Sequence, residues 1–283
     1  MPSCLNPPCR KETKSICGGC KCVYFCGREC QVSIWKHHKH LCKGLGKQDD
    51  KECLIVDGMG PLGRDDIGTV PITNALKARG MESTVAHIDK GMYIPEQLAL
   101  ILQHKTALRV CIILGWGSGD DDFGCNDHDG FRQALVSWVQ ETGGTLIVQG
   151  ERIAHAAGNW PEWFGLSWKS SDYSRTIHDR NPEHWSIPWF ASDREAPNQI
   201  NAKSCMINQV EKHDILFGTT KDSKTFSPVP GFGGRDVGPG HTTFAVSKCG
   251  KGVVSFSGDV NAEKETIATI AIISQASSSS RVE

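Results

Sequence analysis

The sequence contains no run of eighteen or more apolar residues, so it offers no helix able to span a membrane. Its first residues, MPSCLNPPCRKETK, lack the apolar core of a secretory signal. The formal net charge of −1 gives the chain as a whole no general attraction for nucleic acid. With no export signal, we expect a cytoplasmic or nuclear protein, in which a disulfide framework is disfavoured.

Cysteine, by contrast, is abundant and unevenly distributed. Eight of the thirteen cysteines lie between Cys4 and Cys42. The other five are scattered singly, at Cys53, Cys111, Cys125, Cys205 and Cys249. In a reducing compartment, a concentration of this kind indicates a metal site rather than disulfides.

The N-terminal cysteines and one histidine form four closely spaced pairs. In order, these are Cys4-x4-Cys9, Cys17-x2-Cys20, Cys26-x3-Cys30 and His38-x3-Cys42. Such pairs suit tetrahedral zinc, because each supplies two ligands from one knuckle or one helical turn. The stretch from Cys30 to His38 has no breaker and predicts a helix, on which His38 and Cys42 share a face. A segment so poor in apolar residues needs metal to fold, and each structural zinc supplies about 10–16 kcal/mol.

This segment resembles the MYND zinc finger in the order and spacing of its residues. The matching positions are Cys17-Gly18-Gly19-Cys20-Lys21, Tyr24-Phe25-Cys26, Cys30-Gln31, Trp35, His38 and Cys42. The resemblance implies two interleaved zinc sites, formed by Cys4, Cys9, Cys26 and Cys30 and by Cys17, Cys20, His38 and Cys42. Each would have four protein ligands and no open position, so both zinc ions are expected to be structural.

Three further residues could compete for these roles. Only His38 has the four-residue offset from Cys42, so His37 and His40 are expected at the surface. Cys22 is an extra thiol beside a complete ligand set, either an alternative ligand or a half-buried thiol.

The resemblance also implies that the finger binds a protein partner, a short proline-rich peptide lying beside the helix at Gln31 and Trp35. An indole face next to an amide suits an extended, proline-containing segment. Alternatively, Trp35 only caps the small core of the finger. Some MYND proteins are lysine methyltransferases, but the Asn-His-x-Cys motif of a SET domain is missing from this sequence, so that activity is not implied.

DNA is the least favoured partner. Through Gln48 the chain has nine Lys/Arg and two Glu residues, a balance of +7. Two zinc ions bound by seven thiolates would reduce that balance to about +4.

Beyond the finger (residues 1–43) and a polar linker (44–52), the sequence predicts an α/β domain over 53–275 and a flexible tail over 276–283. Strands are predicted at 54–56, 84–88, 110–114 and 146–148, and helices at 71–79, at 95–104 and from Asp127 to Glu141. A hairpin over 243–257 precedes a helix from Ala262 to Ser274. This alternation predicts a mostly parallel, flavodoxin-like sheet covered on both faces.

The order of these elements resembles the class I glutamine amidotransferase-like fold over Cys53–Ser274. Gly115-Trp116-Gly117 occupies the place of the oxyanion loop, and Gln149-Gly150-Glu151-Arg152 that of the nucleophile elbow. The elbow has no cysteine, and Ser257-Gly258-Asp259 follows the last strand where a histidine is expected. Since a thiolate needs a base, we predict that the domain does not hydrolyse amides.

Other chemistry in this domain would depend on its loops. Glu151 is the strongest candidate, because its turn exposes a side chain above the sheet. Loop carboxylates could bind Mg²⁺ or share a proton, or simply cap helices; they are Asp57, Asp65, Asp66, Asp120, Asp121, Asp122 and Asp259. An aromatic group could line a pocket or pack an irregular region; it consists of Trp160, Trp163, Phe164, Trp168, Trp185 and Trp189.

The sequence therefore favours a zinc-binding interaction adaptor without enzymatic activity. The alternative is a hydrolase of a small amide, ester or sugar derivative, which the finger would target to its site of action.

Overall fold

The computed structural model describes residues 4, 6, 9, 11–45, 52–57, 68–87, 98–99, 101–103, 107–115, 129–150, 160–226 and 234–278. Its helices are α1 (Arg28–Leu45), α2 (Thr69–Ala78), α3 (Asp129–Gln140), α4 (Ile187–Phe190) and α5 (Lys264–Ser278). Its strands are β1 (Cys53–Asp57), β2 (Ser83–His87), β3 (Val110–Leu114), β4 (Thr145–Gln149), β5 (Lys169–Arg180), β6 (Gln199–Asn208), β7 (Ile215–Gly218), β8 (Thr242–Cys249) and β9 (Gly252–Ser257). No helix in these ranges has the length and apolar character needed to cross a bilayer.

Five of the strands form a parallel half-sheet in the order β2-β1-β3-β4-β9. Every residue is buried in CLIVD of β1, VCIIL of β3 and TLIVQ of β4. Strands buried on both faces need apolar side chains at consecutive positions, which makes them visible in a sequence. The four predicted strands of this half-sheet are confirmed within one or two residues.

The helices of the parallel half also follow the sequence closely. Helix α2 ends just before Gly80, whose φ of +76° suits glycine. Residues 98–99 and 101–103 are helical within the predicted helix at 95–104, and α3 stops at Gln140. Asp127, the predicted cap of α3, lies outside the described residues. Helix α5 continues to Ser278, beyond the predicted domain end, since Ala276 is buried.

The prediction of a mostly parallel sheet is wrong. Strand β9 is parallel to β4 but antiparallel to β8, and β6, β5 and β7 extend the sheet with antiparallel neighbours. Strand β7 also pairs with β8, so the strands β8, β6, β5 and β7 form a closed ring of neighbours. Strand β5 reads KSSDYSRTIHDR, and only two of its residues are fully buried. Such a polar strand is held by pairing with distant segments, which hydropathy does not reveal.

The tryptophan-rich group does not form one pocket. Trp160, Phe164 and Trp168 are buried together with edge-to-face contacts at centroid distances of 6.3 and 6.2 Å. Trp185 and Trp189 pack against a different apolar cluster, the one that contains α2 and α5. The packing alternative therefore holds for these side chains.

The finger packs directly against the α/β domain. Helix α1 contacts β2, the edge strand of the parallel half-sheet. One continuous apolar cluster joins Val23, Phe25 and Ile34 of the finger to Leu54 and Ala86 of the sheet. The predicted linker is partly helical, because α1 reaches Leu45, and residues 46–51 lie outside the described part of the chain.

An arginine ties α2 to the rest of the domain. The Arg79 guanidinium donates to both carboxylate oxygens of Asp193 (2.7 and 3.1 Å), to Glu195 (2.7 Å) and to the Gln275 side chain (2.8 Å). The Arg79 side chain is only 10% exposed, and its hydrogen bond lowers the pKa of the Asp193 carboxyl.

Replacing Arg79 with methionine is expected to lower the free energy of unfolding by about 2–3 kcal/mol, because a half-buried carboxylate loses a bidentate partner. Arg79→Lys keeps the charge but loses the bidentate guanidinium geometry, so its free energy of unfolding should lie between those of the parent protein and Arg79→Met. Urea denaturation measures both, with exposed Arg194→Met as the control. Equal stability of Arg79→Met and Arg194→Met would contradict this role.

Candidate metal centre

The first group of predicted ligands lies at the surface of the finger. Cys4, Cys9, Cys26 and Cys30, here the outer cluster, place their sulfurs within 4.8 Å of one another. The Sγ atoms of Cys9 and Cys26 are 3.2 Å apart, and those of Cys26 and Cys30 are 3.4 Å apart. Cys4 is buried, Cys9 and Cys30 are half-buried, and Cys26 is exposed.

The second group is fully enclosed. Cys17, Cys20, His38 and Cys42, here the inner cluster, likewise place one ligand atom each within 4.8 Å of the others. His38 Nε2 lies 3.4 Å from Cys17 Sγ and 3.6 Å from Cys20 Sγ, and Cys17 Sγ lies 3.6 Å from Cys42 Sγ. All four side chains are buried.

The backbone between the ligands is folded tightly around these clusters. The Lys21 N–H donates to the Cys17 carbonyl (2.9 Å), and Lys21 itself has a φ of +52°. A Cβ on Gly19 would stand 2.5 Å from Cys42 Sγ, so this position requires glycine. Gly19 belongs to the Cys-Gly-Gly-Cys knuckle of the sequence motif, but its steric requirement was not predicted from the sequence.

Helix α1 connects the two clusters. Cys30, Ile34, His38 and Cys42 recur at intervals of four and therefore lie along one side of the helix. Ile34, which the sequence analysis did not single out, is buried between ligands of the outer and inner clusters. The rings of Phe25 and Trp35 meet the His38 imidazole edge-on, at centroid distances of 5.6 and 5.9 Å.

The electrostatics of both clusters favour a bound cation. In the outer cluster, the Lys11 backbone N–H lowers the pKa of Cys9 to about 7, whereas the neighbouring Cys9 sulfur raises that of Cys26 to about 12. In the inner cluster, the Cys22 thiol lowers the pKa of Cys20 to about 3, whereas burial raises that of Cys42 to about 12. Adjacent sulfurs without a cation share protons in this way, and a divalent metal displaces those protons.

The donor sets fit zinc. A tetrahedral site with Zn–S distances near 2.3 Å separates its sulfurs by about 3.8 Å. The closest sulfur pairs, at 3.2 to 3.6 Å, are near that separation. Thiolate and imidazole are also typical ligands of zinc, whereas calcium and magnesium prefer oxygen ligands.

Cys22 has a supporting position. Its side chain is fully buried, more than predicted, and its thiol donates to the carbonyl oxygen of Cys20 (3.0 Å). Its sulfur belongs to neither four-residue cluster.

The predicted peptide-binding residues Gln31 and Trp35 lie beside the inner cluster, and Trp35 is also exposed to solvent. The indole of Trp35 is 43% exposed, and Val32 beside it is 63% exposed. Gln31, one turn before Trp35, directs its amide N–H toward Cys17 Sγ (3.9 Å). Trp35 thus does two things, since one edge of its ring contacts His38 while the rest faces solvent.

The candidate residues of the α/β domain fare differently. Several of them lie outside the described residues, namely Glu151, the Trp116-Gly117 part of the oxyanion-like loop and the loop carboxylates Asp65, Asp66, Asp120, Asp121 and Asp122. Asp259 is a helix cap, because it accepts the backbone N–H groups of Asn261 (3.0 Å) and Glu263 (2.7 Å) ahead of α5. Cys111 is a core residue, and burial raises its pKa to about 12.

The ligand pairs of the two clusters alternate along the chain, which is the interleaved arrangement of a two-zinc finger. The family model described as "MYND finger" matches residues 4–42. The N-terminal part of the chain is therefore a MYND-type zinc finger.

The chain shares sequence with curated proteins, two of which show the extent of the similarity. A Rho GTPase-activating protein, gacZ, of Dictyostelium discoideum is 43% identical over 42 residues, which are 15% of this chain and 4% of that protein. Histone-lysine N-methyltransferase ASHR1 of Arabidopsis thaliana is 26% identical over 128 residues, which are 40% of this chain and 26% of that protein. The chain thus matches only a small part of either protein.

Solved structures resemble the chain weakly. A ThuA-like protein of Parabacteroides merdae superimposes with a TM-score of 0.49 and 10% identity, covering 81% of this chain and 90% of that one. A β-galactosidase of Bacillus circulans gives a TM-score of 0.47 and 10% identity, covering 89% of this chain and 34% of that one.

Proposed function

We propose that the protein is a zinc-dependent interaction adaptor, whose finger binds a short proline-rich segment of a partner protein. The observation that supports it best is the half-exposed indole of Trp35, which lies next to His38 on a helix that contributes ligands to both clusters. A rigid aromatic side chain held in place by a metal site can dock a peptide at little cost in conformational entropy.

The proposal assigns two structural zinc ions to the finger. Cys4, Cys9, Cys26 and Cys30 would hold one ion, and Cys17, Cys20, His38 and Cys42 the other. With four protein ligands each, neither ion would have an open position for water or substrate. The zinc ions would therefore fix the path of the chain and the orientation of α1, and the partner would be bound by side chains at the surface of the finger.

The proposed recognition surface consists of Gln31, Val32 and Trp35. Proline-rich segments adopt an extended, preformed helix whose pyrrolidine rings pack on aromatic faces. The Gln31 side chain is oriented by the Cys17 sulfur, so its amide stands at a fixed place beside the indole. A peptide backbone carries amide and carbonyl groups that can hydrogen-bond with such a side chain.

Trp35→Ala is expected to weaken binding of a proline-rich partner at least tenfold, because loss of an aromatic anchor costs about 2 kcal/mol or more. Pull-down of cellular partners, followed by calorimetry with the captured segment, measures the effect. Arg28→Ala, an exposed change on the same helix, is the matched control. Unchanged capture of every partner by Trp35→Ala would contradict the proposal.

For the α/β domain, we propose an amidotransferase-like scaffold without amidotransferase activity. The order β2-β1-β3-β4-β9 of its parallel strands is the flavodoxin-like order of doubly wound sheets, which supports this proposal. The sequence has no cysteine at the elbow after β4 and no histidine directly after β9. Methyltransferase activity, named for the Arabidopsis relative, is not proposed, because the Asn-His-x-Cys motif is missing from this sequence.

A further inference from the structure

The two clusters of the finger differ strongly in their access to solvent. All four inner ligands are at most 7% exposed, with His38 at 0%. In the outer cluster, only Cys4 is comparably buried, and Cys26 is exposed to solvent. Oxidants and chelators reach zinc-bound sulfur through solvent, so the reactivity of zinc thiolates follows their exposure.

The outer cluster also contains the sulfur pair closest to bonding. Cys9 Sγ and Cys26 Sγ are 3.2 Å apart, and the two residues come from separate segments, the first knuckle and the approach to α1. The inner sulfurs Cys17 and Cys42 are 3.6 Å apart and lie beneath the rest of the finger.

We propose that the outer cluster is an oxidation-labile zinc site, in which a peroxide links Cys9 to Cys26 and zinc leaves while the inner cluster stays loaded. This inference rests on the proposed zinc ligands but not on peptide binding.

The chemistry uses hydrogen peroxide as the two-electron oxidant. One thiolate attacks a peroxide oxygen, the O–O bond breaks, and a sulfenic acid forms with release of one hydroxide. The second thiolate attacks the sulfenic sulfur, an S–S bond forms, and the remaining oxygen leaves as a second hydroxide. Two protons from solvent convert the hydroxides to water, and the two sulfurs have supplied the two electrons.

Zinc release follows from the ligand count. After the disulfide forms, Cys4 and Cys30 are the only cluster sulfurs still able to act as thiolates. Two ligands do not hold zinc against solvent in a structural site that was built with four. Because α1 still carries His38 and Cys42 of the inner cluster, the helix would remain attached to the sheet through β2. Thiol reductant and added zinc would restore the original state.

The test uses the full chain with its zinc content measured beforehand. Hydrogen peroxide is added in the presence of a chromophoric chelator, and the oxidised cysteines are mapped by alkylation and mass spectrometry. We expect one equivalent of zinc to appear about tenfold faster than the second, together with a Cys9–Cys26 disulfide. Dithiothreitol and zinc should reverse both changes.

The matched control is Cys249→Ser, which removes a buried thiol of β8 outside both clusters and should leave the release pattern unchanged. Simultaneous release of both equivalents, or oxidation of Cys17 or Cys20 first, would overturn the inference. A starting content below two zinc ions would overturn the ligand assignment and the inference with it, whereas intact zinc and uniform release would overturn the inference alone.

Discussion

Replacing Cys20 with serine should unfold the finger and also loosen the edge of the sheet. The expected loss is large, because structural zinc contributes about 10–16 kcal/mol in finger peptides, comparable to the whole stability of an ordinary domain. We expect backbone amides of residues 11–45 to exchange with solvent within seconds. Hydrogen exchange followed by mass spectrometry measures this directly.

The effect should extend into the α/β domain, because finger and sheet share one apolar cluster. Helix α1 packs against β2, the strand at the edge of the parallel half-sheet. The amides of residues 83–87 should therefore lose protection in Cys20→Ser, whereas those of β3 and β4 in the middle of the sheet should keep theirs.

Cys22→Ser serves as the matched control for this prediction. It removes a fully buried sulfur two residues away that belongs to neither ligand cluster. It should retain two zinc ions and most of the exchange protection, losing at most the hydrogen bond to the Cys20 carbonyl. If Cys20→Ser kept the exchange protection of the parent protein, the finger would not depend on the inner cluster.

Acid is expected to destabilise the α/β domain through two buried histidines. Burial lowers the pKa of His178 to about 3 and that of His184 to about 4. Both stay neutral in the folded state while the unfolded chain takes up protons below about pH 6.5. Stability is therefore lost as pH falls from about 6.5 toward 4, by about 5 kcal/mol between pH 7.5 and 4.5 for the two together.

The surroundings of each ring explain why neither accepts a proton. Among the residues that the structure describes, none hydrogen-bonds to either ring nitrogen of His178, so an added charge would be buried without compensation. His184 Nε2 lies 3.1 Å from the Val246 carbonyl, and its Nδ1 accepts from the backbone N–H and hydroxyl of Ser186. A proton on that Nδ1 would face the Ser186 backbone N–H, which is also a donor, so the hydrogen bond between them would be lost.

His178→Leu tests this account, since leucine cannot titrate. We expect stability within about 1 kcal/mol of the parent at pH 7.5 and an advantage of about 2–3 kcal/mol at pH 4.5. Loss of zinc in acid affects both proteins equally and cancels in the comparison. Exposed His213→Asn is the control and should follow the parent. Burial also raises the pKa of Asp214 and Asp259, which partly offsets the slope at the acid end.

The zinc ligands, the finger helix and the central strands of the sheet could be predicted from local sequence. The ligand spacing, the breaker-free helix with His38 and Cys42, and the continuously apolar runs of β1, β3 and β4 are all short-range patterns. The β8–β9 hairpin was visible for the same reason, because its two strands adjoin in sequence. Zinc ligands and buried strands restrict residue types at neighbouring positions, and a sequence records such restrictions directly.

Tertiary structure decided what depends on distant segments. The polar strand β5 exists as a strand because β6 and β7 pair with it, and the tryptophans divide between two clusters because the sheet lies between them. Only the folded chain shows that the finger covers β2 and that one cluster is buried while the other is open. The sequence by itself determined which atoms can hold zinc; packing determined which of them solvent can reach, because burial is a property of the whole chain.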